Sequence, residues 1–264
     1  MAERFLAKKS EGGRHMKMQQ IVNFRDMGGL RCEDGRTVKH GHFFRSSLID
    51  MATEHDIKQI NDLQIKHIFD YRDLDERYFD RDIYARLNAA HHRVPAAFKN
   101  DKLLRLSSER SLRALRDKFT LEDIHPTYRN LPIDNQGYKA MFKAVAEKDV
   151  PIWQHCSAGK DRAGVGCALL AKLLGVVDED ILADYMQSAE AYKFFKDIVG
   201  KSFPWIVRRY ALKQIDPLLI VDPSFLHATF DAVTEKYGSW ASYFESEYGL
   251  GPDKVTELRN HYCA

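Results

Sequence analysis

The segment from His155 to Gly164 constrains the fold of this chain more than any other part of it. It reads HCSAGKDRAG and joins two apolar runs, at 150–153 and 165–174. A short β-prone run that leads into a loop and then into a longer apolar run is typical of a strand–loop–helix unit. The segment therefore predicts a cysteine at the end of a buried strand and an arginine at the start of a buried helix.

The residue types in this loop suit attack on a phosphate group. Cys156 attacks only as a thiolate, and a helix N-terminus with inward-pointing loop N–H groups favours negative charge there. Arg162 has a planar guanidinium that can bind two phosphoryl oxygens at once. Gly159 permits a tight turn that a side chain would obstruct. We therefore predict that Cys156 is the nucleophile and that Arg162 binds and stabilises the phosphoryl group.

The Cys-x5-Arg spacing alone is a weak signal, because buried cysteines commonly fill space in a core. Here the glycines, the preceding strand and the following apolar helix all agree with a phosphate-binding loop. A nucleotide-binding loop of the Walker type is excluded, because Lys160 is followed by Asp161 rather than Ser or Thr and position 154 is not Gly.

Three separated motifs resemble those of the cysteine-dependent protein tyrosine phosphatases. They are the loop 155–162, the pair Asn23–Gly29 and Phe43–Ser47, and Asp70–Arg72 with Glu76. The Gly-Lys-Asp-Arg form of the loop is similar to a bacterial atypical group that includes the secreted mycobacterial and Listeria phosphatases. The resemblance covers about residues 21 to 260. It implies hydrolysis of phosphotyrosine, with phosphoserine, phosphothreonine or phosphoinositides as further substrates.

The resemblance also implies roles for several acidic residues. Asp161, inside the loop, is similar to the family residue that protonates the leaving oxygen as general acid. Asp70, at the end of a predicted strand over 65–70, is the second candidate, and Asp101 and Asp134 are more distant ones. The residues expected to brace the loop from outside are Asp70, Arg72, Glu76 and Arg25.

The other loop residues are predicted to bind substrate; they are His155, Ser157, Ala158, Gly159 and Lys160. His155 is expected to tune the thiolate rather than transfer a proton. Lys160 is expected to add a second cation at the rim, which favours substrates with more than one phosphate. The family usually has Thr or Ser after the loop arginine, where this chain has Ala163. The resemblance therefore implies slower turnover of the phosphoenzyme, or another group that performs this step.

The order of segments predicts an α/β fold with a central, mostly parallel sheet and helices on both faces. The resemblance implies a tyrosine-phosphatase-like arrangement with a helical lid or insertion and C-terminal helices. We predict one catalytic domain over 21–264, with the helical insertion at about 97–136. Residues 1–20 are predicted to form a mobile tail, in which 12–16 is typical of a cloning scar before a native start at Met16.

Individual elements follow from local patterns. Apolar spacing predicts a helix over 51–64, with Thr53 as its N-cap and Asp56 three residues later. The other predicted elements near the loop are strands at 65–70, 91–94 and 150–154 and a helix at 137–148.

Composition excludes several classes of protein. The 264 residues include 40 Lys and Arg against 38 Asp and Glu, so the overall charge gives no reason to expect a nucleic-acid partner. No apolar run reaches the ~20 residues of a membrane span, and the charged N-terminus lacks a signal-peptide core. Four cysteines without metal or disulfide spacing favour a reducing compartment. We expect no metal, no cofactor and a cytoplasmic location, with secretion without a classical signal peptide as an alternative.

The most basic stretch lies at 99–118, where seven Lys and Arg accompany three acidic residues and five leucines at helical spacing. It predicts an amphipathic helix that packs on the domain, or a lid or surface that attracts anionic lipid or acidic peptides. The oligomeric state is not indicated by any pattern.

Two other functions remain open at this point. A rhodanese-like sulfurtransferase also uses a loop cysteine after a strand, although the N-terminal motifs argue against it. A catalytically weak phosphate-binding module is the other alternative: Ala163 favours it, and the presence of both Cys156 and Arg162 disfavours it.

Overall fold

A computed structural model of the chain describes residues 18–74, 76, 82–96, 120–201 and 205–264. Over these ranges a five-stranded sheet has helices on both faces, as predicted. The strands are β1 (Arg25–Asp26), β2 (Phe43–Ser46), β3 (His67–Asp70), β4 (Ala90–Arg93) and β5 (Ile152–His155). The helices are α1 (Glu54–Asp62), α2 (His125–Asn130), α3 (Gln136–Ala146), α4 (Arg162–Leu174), α5 (Asp178–Met186), α6 (Tyr192–Lys201), α7 (Trp205–Leu219), α8 (Pro223–Tyr237), α9 (Trp240–Tyr248) and α10 (Pro252–Tyr262).

The strand order is β1-β2-β5-β3-β4, and only the β1–β2 pair is antiparallel. The mostly parallel sheet is therefore confirmed. His155, the last residue of β5, is in register with Ser46 of β2 and Asp70 of β3. Because parallel strands end at the same edge of a sheet, the segments that follow these three residues lie side by side. This edge brings the separated sequence motifs together.

Alternate side chains of the central strands enter two different cores, as period-two strand geometry requires. Phe43, Phe69 and Ile152 belong to the larger core, which also contains the buried residues of α4. Their neighbours Phe44 and Trp153 belong to a smaller core on the opposite face, where α1 packs. Helices cover both faces of the sheet, so all residues of the central strands β2 and β5 are buried, whereas the edge strands β1 and β4 are partly exposed.

Helix α1 begins at the predicted N-cap. The Thr53 hydroxyl accepts a hydrogen bond from the Asp56 amide at 3.2 Å, and the Asp56 carboxylate accepts one from the Thr53 amide at 3.0 Å. The same carboxylate accepts hydrogen bonds from the amides of Gln19 and Gln20. The last residues of the predicted tail are thus held against α1.

Three predictions fall largely outside the described residues. These are the tail before residue 18, the basic stretch 99–118 and the first part of the 97–136 insertion. The described remainder of that insertion, from residue 120, contains the short helix α2. Within the described ranges, every helix is too short or too polar to cross a bilayer.

Candidate active site

The loop between β5 and α4 carries the predicted nucleophile and arginine. Cys156 follows β5 and is 1% exposed, and Arg162 is the first residue of α4. The carbonyls of Ser157, Ala158 and Gly159 all accept hydrogen bonds from outside the loop. Their donors are, in order, the Leu48 amide at 3.0 Å, the Asn23 side-chain amide at 3.1 Å and the Arg45 guanidinium at 2.8 Å.

These contacts fix the direction of the loop's N–H groups. In a planar trans peptide the C=O and the N–H point in opposite directions. Because the carbonyls of residues 157–159 point outward, the amides of residues 158–160 point into the loop. The centre of the loop therefore presents several N–H donors beside Cys156, which suits a phosphate dianion.

The conformation and packing of the loop backbone both require glycine at position 159. Its φ of +67° lies in the left-handed region, and a Cβ atom there would come 2.2 Å from the Ser46 carbonyl oxygen. That carbonyl belongs to the end of β2, so it has little room to move. Gly159 thus lets the phosphate loop pack directly against the sheet edge.

We expect Gly159→Ala to lower kcat/KM by roughly 10²-fold, because displacing the loop by about an ångström misaligns its donors. It should also reduce the free energy of unfolding by about 1–3 kcal/mol through backbone strain. Gly35→Ala is the matched control: its φ is +87°, but nothing lies within 4 Å of the added Cβ. Steady-state kinetics and denaturant melts measure both effects. Equal activity losses in the two variants would contradict the steric argument.

Arg162 is held in place by Glu76. The Glu76 carboxylate accepts hydrogen bonds from both terminal guanidinium nitrogens of Arg162, one at 2.8 Å, and from the Ser157 hydroxyl at 2.6 Å. Burial raises the pKa of Glu76, but these hydrogen bonds and the Arg162 charge outweigh it and hold the pKa below its usual range. Glu76, which was predicted to brace the loop, therefore contacts the Arg162 guanidinium directly, and Arg162 is only 6% exposed.

Asp70 and Arg72 form a buried ion pair behind the loop. Arg72 donates to both carboxylate oxygens of Asp70, at 2.9 and 2.8 Å, and to Asp50 at 2.7 Å. Burial raises the pKa of Asp70, but the nearby His155 and hydrogen bonds from His91 and Arg72 outweigh it and hold the pKa well below its ordinary value. Asp70 is fully buried as a carboxylate, so it is poorly suited to donating a proton.

His155 lies between this network and Cys156, the predicted nucleophile. Its Nε2 is 3.1 Å from the Tyr84 hydroxyl, and burial lowers the pKa of His155 to about 4. The imidazole is therefore neutral at neutral pH. A neutral His155 adds no positive charge beside Cys156. Its ring instead contacts the Tyr84 hydroxyl, which also accepts a hydrogen bond from Arg72 at 2.8 Å.

Asp161 sits at the mouth of the loop with its side chain 19% exposed. The Tyr128 hydroxyl donates to its Oδ1 at 2.6 Å and lies 2.7 Å from the Tyr185 hydroxyl. These two tyrosines orient the carboxylate while leaving it partly open to solvent. Sequence reasoning did not single out Tyr128, because α2 lies next to the loop only in the folded protein.

Lys160 does not face the loop opening in this conformation. Its ammonium group donates to the carbonyls of Leu218 and Ile220, at 2.7 and 2.8 Å, and lies 3.1 Å from Asp161 Oδ1. The residue is 3% exposed. Lys160 thus caps the C-terminal end of α7, where the helix dipole favours a cation.

A second buried ion cluster supports the loop from the side of β1 and β2. Asp184 of α5 pairs with Arg25 at 2.5 Å and with Arg45 at 2.6 Å, and Arg45 in turn holds the Gly159 carbonyl. Arg25 was predicted to brace the loop, whereas Asp184 was missed. A sequence signal for it existed: Asp184 shares one helical face with Ile181, and a carboxylate on a buried face requires a cationic partner.

Within the part of the chain that the structure describes, one group of side chains has the composition of a metal site. Potential ligand atoms of Asp70, His91 and His155 all lie within 4.8 Å of one another. However, Arg72 already donates two hydrogen bonds to the Asp70 carboxylate. A metal ion bound here would meet that guanidinium charge, so the arrangement suits a salt-bridge network better than a cation.

Comparisons with known proteins agree with this geometry. The model of a tyrosine phosphatase family matches residues 16–264. A protein of Cupriavidus necator, provisionally named a tyrosine-protein phosphatase, is 30% identical over 263 residues, which cover 98% of this chain and 92% of the relative. The triple-specificity protein phosphatase PtpB of Mycobacterium tuberculosis is 27% identical over 143 residues, which cover 50% of this chain and 51% of PtpB. The chain therefore belongs to the tyrosine phosphatase family.

Proposed function

We propose that this phosphatase hydrolyses phosphomonoesters through a phosphocysteine intermediate on Cys156, with phosphotyrosine in proteins as its main substrate. The observation that carries the proposal is the loop itself. Its amides turn inward around a buried cysteine, and Glu76 fixes Arg162 beside it. Phosphoryl transfer spreads charge over the equatorial oxygens, so such a cradle can supply much of the catalysis.

The proposed reaction has two steps. The Cys156 thiolate attacks phosphorus while the bond from phosphorus to the leaving oxygen breaks, and the Asp161 carboxylic acid gives its proton to that oxygen. Water then attacks the phosphocysteine, the Asp161 carboxylate accepts a proton from it, and the sulfur leaves as thiolate. Arg162 and the loop amides bind the phosphoryl oxygens in both steps.

Asp161 is the better general acid because of its surroundings. It is partly exposed at the loop mouth, where the Tyr128 hydroxyl orients it and the Lys160 ammonium lies 3.1 Å from its Oδ1. Asp70 is fully buried and bound to Arg72, while Asp134 is exposed and paired with Lys139. Asp101 lies outside the described residues. Neither Asp70 nor Asp134 is both solvent-accessible and part of the phosphate loop.

The wider substrate range is also a proposal. PtpB carries the description triple specificity. Together with the resemblance of the loop to phosphatases of broad specificity, this supports activity on phosphoserine, phosphothreonine and phosphoinositides. A lipid with a second phosphate would have to draw Lys160 away from the Leu218 and Ile220 carbonyls that it now caps. We therefore expect phosphotyrosine peptides to be preferred over phosphoinositides.

The proposed location is the reducing cytoplasm, where the four free thiols of the chain would stay reduced.

The test combines turnover with trapping of the intermediate. The purified chain is mixed with p-nitrophenyl phosphate, quenched in acid and digested, and the peptide that contains Cys156 is examined by mass spectrometry for an added phosphoryl group. A panel of phosphopeptides and phosphoinositides follows. Transfer of sulfur from thiosulfate to cyanide without phosphate release would establish the sulfurtransferase alternative. Phosphate binding without turnover would establish the binding-module alternative.

Ala163 leads to a separate prediction about the second step. Ala163→Ser supplies a hydroxyl after the loop arginine, where it can hydrogen-bond the departing sulfur. We expect kcat to rise several-fold while kcat/KM stays the same, because kcat/KM reports only the steps up to formation of the phosphocysteine. The pre-steady-state burst of p-nitrophenol should shrink in parallel. An unchanged kcat would mean that breakdown of the intermediate is not the slow step.

A further inference from the structure

Helix α7 exposes an unusual number of apolar side chains near its start. Trp205 is 80% exposed, Ile206 is 74% exposed and Tyr210 is 52% exposed. They are three of the five large hydrophobic residues that are exposed in the described part of the chain. Single exposed apolar residues are ordinary, but three on one short helical segment indicate a surface that contacts something apolar.

Basic side chains share this surface. At 100° per residue, Trp205, Ile206, Arg209, Tyr210 and Lys213 fall within an arc of about 140°. Arg209 and Lys213 are both exposed. We call these five residues the α7 face. Around the helix, the two cationic side chains lie between Trp205 on one side and Ile206 and Tyr210 on the other.

The charge around the α7 face favours a negatively charged partner. Residues 192–219 hold six Lys and Arg and two Asp. The acidic residue of α7, Asp216, is bound to Lys196 at 2.7 Å and to the Tyr192 hydroxyl, so α6 already neutralises it. A second copy that met this face with its own α7 face would present the same positive charge and would be repelled.

We propose that the α7 face docks the protein on an anionic membrane surface. Amphipathic aromatic rings prefer the interface between headgroups and acyl chains, an aliphatic side chain enters the apolar layer, and Arg and Lys bind lipid phosphates. This is a docking surface, separate from the phosphate loop, and it does not depend on the proposed catalytic mechanism.

The far end of the same helix connects the surface to the loop. Lys160 donates to the carbonyls of Leu218 and Ile220, which lie just before and just after the last residue of α7. A helix of 15 residues is about 22 Å long, so the α7 face begins about that far from the helix end that Lys160 caps. Docking through α7 would therefore set the distance and orientation of the phosphate loop relative to the membrane.

The test uses the full chain and sucrose-loaded vesicles of phosphatidylcholine, with or without phosphatidylglycerol. Phosphatidylglycerol is not a phosphomonoester, so binding to it reports docking rather than substrate recognition. We expect cosedimentation with anionic vesicles that weakens with salt, little binding to neutral vesicles, and a blue shift of tryptophan emission that Trp205→Phe reduces. Trp205→Ala/Ile206→Ala and Arg209→Ala/Lys213→Ala should each weaken binding about tenfold or more.

The matched control is Lys58→Ala/Lys236→Ala, which removes two exposed cations from α1 and α8. It should bind vesicles like the wild type. All three double variants should keep wild-type turnover of p-nitrophenyl phosphate, which shows that they are folded. Binding that is absent, equal on neutral vesicles, or unaffected by both α7 variants would overturn the proposal. Concentration-dependent dimerisation that the α7 variants abolish would instead assign the face to a second copy.

Discussion

Cys156→Ser is expected to lower kcat on p-nitrophenyl phosphate by at least about 10⁴-fold, because it removes the nucleophile on which both proposed steps depend. A serine hydroxyl is nearly the same size as the thiol, but it is far harder to ionise and is a poor leaving group in the second step. The loop amides and Arg162 remain in place, since their directions are set by contacts that do not involve the sulfur. Tungstate should therefore still raise the melting temperature of the variant.

Cys167→Ser is the matched control. Cys167 lies on α4 and is 1% exposed like Cys156, but burial raises the pKa of its thiol to about 11, and it does not form part of the loop. We expect this variant to lose some stability and to keep most of its turnover. Similar activity losses in the two variants would mean that loop packing, rather than nucleophilic sulfur, explains the effect.

Asp161→Asn has the second-largest expected effect. An amide cannot give a proton to the leaving oxygen, so kcat should fall by about 10²- to 10³-fold, whereas KM should change little. The loss should grow with the basicity of the leaving group, from p-nitrophenyl phosphate through phosphotyrosine to phosphoserine peptides. A linear free-energy plot of kcat/KM against leaving-group basicity measures this directly and should become steeper in the variant.

Asp70→Asn provides the contrast. It leaves Arg72 with a buried charge that Asp50 alone must balance, and breaking a buried pair typically costs about 3–5 kcal/mol. We expect a lower free energy of unfolding, with a leaving-group dependence like that of the wild type in the fraction that folds. A folded but inactive Asp70→Asn together with a near wild-type Asp161→Asn would show that the general acid has been misassigned.

Local patterns were sufficient for much of the architecture. The helix with Thr53 as N-cap, the strand that ends at Asp70 and the strand that delivers Cys156 were all predicted within a few residues. In each case the signal is short-range: a capping pair, or an apolar run that stops at a polar residue. The mostly parallel sheet followed from the alternation of such segments.

The contacts of the polar and charged side chains around the loop could not be predicted from local sequence patterns. Lys160 was expected at the rim but caps α7, because the chain places the end of that helix beside the loop. Tyr128 and Asp184 support the site from helices that are distant in sequence. A side chain's direction depends on which partner lies within about 3 Å, and that depends on packing of the whole chain.

The sequence by itself determined which residue types occupy the candidate site: a cysteine and an arginine with five residues between them on a glycine-containing loop, between a strand and a helix. These features are local, because residue types, their spacing and the flanking apolar runs can all be recognised within about 25 residues of sequence. Only the tertiary structure decided how Arg162 and the loop backbone are held in place. The parallel register of three strands brings Ser46, Asp70 and His155 to one sheet edge, and buried ion pairs there fix Arg162 and the loop carbonyls. Buried charges require partners, and the fold alone supplies them.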